Sequence, residues 1–87
     1  MVSKKLTIVN AQGFHMRPAS AFATAMGKYG CDVVLKHNGK DVNAKSLMNI
    51  IAACIKCGNE IEVVATGADE EAALAEAVEM IESGFGE

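Results

Sequence analysis

Asn38-Gly39 lies between two short runs, Cys31-Asp-Val-Val-Leu-Lys36 and Lys40-Asp-Val-Asn43, and this arrangement narrows what the chain can fold into more than any other feature. Asn-Gly readily takes the two left-handed conformations of a type I′ turn, whose twist matches that of paired strands. The stretch His37-Asn38-Gly39 therefore predicts a tight antiparallel hairpin. Two further strands are legible. Glu60-Ile-Glu-Val-Val-Ala-Thr66 is rich in β-branched residues, and Lys5-Leu-Thr-Ile-Val9 alternates before the turn residues Asn10-Ala-Gln-Gly13.

The strands are separated by helical spacing. Ala19, Phe22, Ala23 and Met26 recur at three and four residues, with Pro18 near the helix start, where a missing N–H does no harm, and Gly27 and Gly30 ending it. Ser46 is placed to cap a short helix, Leu47-Met-Asn-Ile-Ile-Ala-Ala53, which Lys56-Cys-Gly58 breaks. After Gly67, the acids Asp69-Glu70-Glu71 suit the positive end of a last helix with Leu74, Ala77, Val78 and Ile81 as its buried stripe. Ser83-Gly84 closes that helix, and a frayed tail is expected beyond it. The order β-α-β-β-α-β-α predicts an α+β open-faced β-sandwich: a four-stranded antiparallel sheet covered on one face by three helices, in a single domain over 1–87.

Composition bounds the function classes. The 87 residues, 51% apolar, suffice for one modest core and make a disordered chain an unsuitable reading. No apolar run approaches the roughly 20 residues of a membrane span, and no signal peptide is visible, so a cytoplasmic protein without membrane insertion is expected. Three cysteines, an odd number, argue for reduced thiols. The net charge of −3, 5% aromatics and the lack of an aromatic-basic strand pattern disfavour an RNA-binding domain, and no nucleic-acid partner is expected. The charge is unevenly spread: every Lys and Arg lies at or before Lys56, while nine of the eleven acids lie at or after Glu60. Between Met1 and Cys31 there is no carboxylate side chain, so this part can receive an anion without repulsion. A merely solvated acidic helix explains the asymmetry equally well.

Chemistry concentrates in Gly13-Phe-His-Met-Arg-Pro-Ala19. An imidazole before a helix start, with a guanidinium two residues on, suits a phosphate: the first helical N–H groups and the dipole attract it, and Arg17 offers a planar donor fork. Near neutral pH an imidazole has a free lone pair, so His15 needs no separate base to act as a nucleophile, and a phosphorus–nitrogen bond remains transferable. The spacing alone leaves open an ordinary loop histidine acting as a helix cap.

The same stretch resembles the active-site signature Gly-Leu-His-Ala-Arg-Pro-Ala of the HPr family of phosphocarriers. Asn43-Ala-Lys-Ser-Leu-Met48 resembles that family's regulatory-serine segment, Gly58-Asn-Glu-Ile61 the approach to its fourth strand, and Glu82-Ser-Gly-Phe-Gly86 a frequent family ending. The resemblance spans essentially the whole chain. It implies that His15 takes a phosphoryl group from phosphorylated enzyme I, charged by phosphoenolpyruvate, on its δ1 nitrogen and passes it to enzyme IIA domains of sugar transporters. It implies a phosphate-stabilising role for Arg17 and kinase modification of Ser46, with an HPr kinase/phosphorylase and a catabolite-control transcription regulator as further partners. A carrier, not an enzyme in its own right, is implied, as a monomer with no cofactor. A mainly regulatory phosphoprotein is the alternative, although a glutamine at position 15 would be expected of the regulatory paralogue. Phe14 and Met16 depart from the family's leucine and alanine, which bears on ring exposure and partner preference.

A docking patch is expected from Met16, Ser20 and Thr24 on the first helix with Leu47 and Met48 on the second, ringed by Arg17, Lys28 and Lys45. Core packing is the competing role for Met16 and Met48, and plain capping the competing role for Ser46. Cys54-Ile-Lys-Cys57 has the spacing of redox and zinc sites, with Cys31 and His37 as conceivable further ligands. No second close pair accompanies it and it ends a helix, so no metal site is expected; small-residue packing is expected for the cysteines and a turn position for His37.

Overall fold

The computed structural model describes residues 1–9 and 13–86. Its elements are β1 (Val2–Thr7), α1 (Met16–Gly27), β2 (Asp32–His37), β3 (Lys40–Asn43), α2 (Leu47–Ala52), β4 (Glu60–Thr66) and α3 (Glu70–Glu82), followed by a 3-10 turn at Gly84–Gly86. The strands form one antiparallel sheet in the order β1-β4-β2-β3. The expected element order and open-faced architecture are both found.

Side-chain alternation decides which face the helices cover. Leu6, Ile61, Val63, Val33, Leu35 and Val42 point inward and meet Phe22 and Met26 of α1, Ile50 of α2 and Ala73, Ala77 and Ile81 of α3. The residues between them face away. Lys5 pairs with Glu62, Glu62 with Lys36 and Lys36 with Asp41, so charges of alternating sign cross the uncovered face from edge to edge. Such exposed pairs add little stability, but they keep that face wet and unsuited to stacking.

The hairpin turns where Asn-Gly predicts. Asn38 (φ 52) and Gly39 (φ 77) are both left-handed, and His37 pairs with Lys40. His37 is thus the last residue of β2 and buried, not a turn residue.

At α3 the acids divide their work. Asp69 occupies the N-cap position but makes no side-chain bond to its own helix; its carboxylate accepts the N–H groups of Gly30 and Cys31, each at 2.9 Å, and fastens the turn between α1 and β2. Glu70 instead accepts the Gly67 N–H at 3.1 Å. These bonds hold both carboxyls below the usual carboxylate range, with the Gly30 N–H the leading cause for Asp69 and the Gly67 N–H for Glu70.

Three further expectations need correction. β1 begins at Val2 and ends at Thr7 instead of running from Lys5 to Val9; Ile8 still exchanges hydrogen bonds with Asn59 and Gly58, whereas Val9 is 56% exposed. The tail is not frayed. Left-handed Gly84 and Phe85 turn the chain back so that the Phe85 ring packs on Phe14 and Phe22. Cys54 and Cys57 are exposed, so only Cys31 shows the small-residue packing expected of the cysteines. The turn expected at 10–12 lies outside the described residues.

Candidate functional site

Two adjacent residues with opposite orientations build the site. Phe14 turns inward, 4% exposed, and its ring sits 5.4 Å from that of Phe22 and 4.9 Å from that of Phe85. His15 is half-buried at the surface. The aromatic cluster anchors the peptide beneath the imidazole, so Phe14 forms part of the floor of the site and adds no exposed ring to it.

The loop is also held from behind. The Phe14 N–H donates to the Ile55 carbonyl at 3.0 Å, and Gly13, at φ +64, lies so close to the strand-entry segment that a Cβ there would stand 2.5 Å from the Ile55 oxygen. Only glycine meets both demands.

His15 is the N-cap of α1 through its backbone: its dihedrals are extended and its carbonyl accepts the Ala19 N–H at 3.0 Å. The ring makes no side-chain capping bond to α1, so His15 caps this helix through its backbone. Ala19 is the first residue whose N–H bonds within the helix. Pro18 precedes it, at the last position where an N–H would have no helical acceptor, so proline breaks nothing there. The opening N–H groups and the positive end of the dipole face the His15 side.

Along α1 runs a shallow, open groove lined by His15, Met16, Arg17, Ser20, Thr24 and Lys28. Met16 is 59% exposed and Met48 72%, so neither fills the core. Leu47 packs against the core and is half-buried, and neither it nor Met48 lines this groove, although α1 and α2 touch. Ala21 and Ala25 complete the lining, four residues after Arg17 and Ala21 respectively; helical spacing alone would have found them.

The cations around the groove are unequal. Lys28 forms a 2.8 Å ion pair with Glu76, which also accepts the Tyr29 hydroxyl; the Lys28 ammonium is held above and the Glu76 carboxyl below their usual values by that bond. Lys45 donates to the Tyr29 carbonyl at 2.8 Å. The acidic third helix therefore neutralises part of the basic first half. Ser46 caps α2, its Oγ accepting the Asn49 N–H at 3.3 Å. No group of three His, Cys, Asp or Glu side chains able to hold a metal occurs among the described residues.

Comparison with known proteins bears on the same stretch. Residues 2–83 match the family described as PTS HPr component phosphorylation site. The phosphocarrier protein HPr of Treponema pallidum is 36% identical over 87 residues, covering 100% of this chain and 99% of that one. The HPr-like protein Crh of Bacillus subtilis is 36% identical over 74 residues, covering 85% and 87%. The crystal structure of HPr-C-His from Thermoanaerobacter tengcongensis superposes with a TM-score of 0.96 at 38% identity, covering 100% of this chain and 98% of that one. With a family match over nearly its whole length and relatives of this similarity, the chain belongs to the HPr phosphocarrier family of the phosphotransferase system.

Proposed function

We propose that the chain carries a phosphoryl group on His15, accepted from phosphorylated enzyme I and delivered to enzyme IIA domains during sugar uptake. The observation that carries this reading is the placement of a surface imidazole at the start of α1, in one open groove with Arg17, above a buried aromatic floor. In each step a ring nitrogen attacks phosphorus as the bond to the donor's nitrogen breaks, so a phosphorus–nitrogen bond is formed as another is lost. Both ends of the exchange are of one type, and the group moves on with little bias. Arg17 and the helix start supply donors to the phosphoryl oxygens, while the open groove lets an acidic partner approach and leave.

Met16, Ser20 and Thr24 serve as the docking surface, with Met48, and with Leu47 through its exposed part. Methionine repacks easily against different partners. The chain acts as a cytoplasmic monomer, one domain over its length, without a cofactor.

Ser46 favours a second, compatible reading. Ser46 is half-buried at the start of α2, on a helix that touches α1. Phosphorylation by an HPr kinase/phosphorylase would place about two negative charges where the helix end tolerates them and where an acidic partner does not. That form would serve as partner of a catabolite-control transcription regulator.

Incubation with enzyme I and labelled phosphoenolpyruvate tests the carrier reading. Label should enter this chain and not His15→Ala; equal labelling of the two would refute it.

A further inference from the structure

The second histidine plays no part in the carrier reading. His37 is the one buried polar side chain among the described residues, 9% exposed, and it makes no hydrogen bond to any of them. Burying an imidazole without a partner removes water from its N–H and its lone pair and is normally avoided.

His37 lines a cleft of about 360 Å³ between the β2–β3 hairpin and α2. Lys40 is the register partner of His37, and both stand on the helix-facing side of the hairpin, as Leu35 and Val42 do. Asn38 and Asn49 also line the cleft, with Val42 and Ala53 as its apolar part. Asp41 borders it too, but alternation sets its side chain with Lys36 on the uncovered face. The volume falls at the lower end of the roughly 300–1,000 Å³ of small-molecule sites. A metal is a poor fit, because no three suitable ligands gather among the described residues.

We propose that this cleft binds a small organic anion, a carboxylate or phosphate on a short carbon skeleton. The Lys40 ammonium, the His37 ring N–H and the two amide groups supply donors for the anionic head, and Val42 with Ala53 receives the carbon part. The occupant gives the buried imidazole the partner the fold does not. No residue lines both this cleft and the groove along α1, and the proposal does not rest on the role of His15.

The test is a titration of the isotope-labelled full chain with citrate and, separately, glycerol 3-phosphate, with glycerol as a neutral control, read by NMR at backbone amides and imidazole rings. Saturable shifts are expected at His37, Lys40 and Asn49 with at least one anion and none with glycerol. Dissociation constants should rise about tenfold in Lys40→Gln and in His37→Gln. A response to citrate alone assigns a carboxylate ligand, and one to glycerol 3-phosphate alone a phosphate. The proposal is overturned by no saturation with either anion, by an equal response to glycerol, by unchanged binding in a folded Lys40→Gln protein, or by shifts confined to His15 and Arg17.

Discussion

The Phe14 N–H donates to the Ile55 carbonyl at 3.0 Å, so the loop bearing His15 is fastened to the segment that follows α2. The position of the imidazole therefore depends on two stretches of chain that are about forty residues apart in sequence.

Gly13→Ala should break that fastening. Its Cβ would stand 2.6 Å from the Lys56 Cα as well as crowding the Ile55 oxygen, at a φ of +64. Because the obstruction is backbone, relief requires the loop to move, and a loss of about 2 kcal/mol or more is expected. Thermal denaturation should show a fall on the order of 10 °C. An unchanged midpoint would show that the loop is not held as described.

Phe85→Ala removes the outer ring of the cluster with Phe14 and Phe22. Since Phe85 is half-buried, the expected cost is about 1–3 kcal/mol, below that of a fully buried ring. Urea denaturation measures it. The same variant should slow phosphoryl uptake, because the peptide under His15 loses part of its floor.

Much of this was legible in the sequence, and the exceptions share a cause. Asn38-Gly39 and the run Glu60–Thr66 are settled by local chemistry, and both appear where local chemistry puts them. β1 is an edge strand with Ser3, Lys4 and Lys5 exposed, so only Leu6 within it carries a strong burial signal and its start is hidden. Phe85 is fixed by ring contacts with Phe14 and Phe22, which spacing does not reveal, whereas His37 continues the alternation of Val33 and Leu35 to the end of β2. In the site, the helical period brought Met16, Ser20 and Thr24 together with His15 and Arg17, whereas the Gly13–Ile55 contact and the neutralisation of Lys28 by Glu76 required the folded chain.

Asp69 should make stability fall with acidity in a way that Asp69→Asn does not. Its folded value is depressed by the Gly30 N–H, so its contribution is fully present above the unfolded value of about 3.9. It is lost as pH falls through the lower folded value. Denaturation midpoints measured from neutral pH downward should converge for the two proteins at the acid end; parallel curves would contradict the assignment.

Ser46→Ala should cost about 1 kcal/mol through loss of the bond from the Asn49 N–H. Ser46→Asp should keep that cap and most of the stability, yet slow uptake from enzyme I by placing a carboxylate beside the docking surface. Equal uptake rates for Ser46→Asp and the unaltered chain would count against this reading of the second site.

The most direct test of the carrier mechanism is the location of the phosphorus in the chain after reaction with enzyme I and phosphoenolpyruvate, read by phosphorus and imidazole NMR. One acid-labile, alkali-stable phosphorus–nitrogen resonance coupled to the His15 ring, and absent from His15→Ala, is the predicted result. Phosphorus bound to the buried His37, or to a serine as an alkali-labile ester with His15 unmodified, would contradict it.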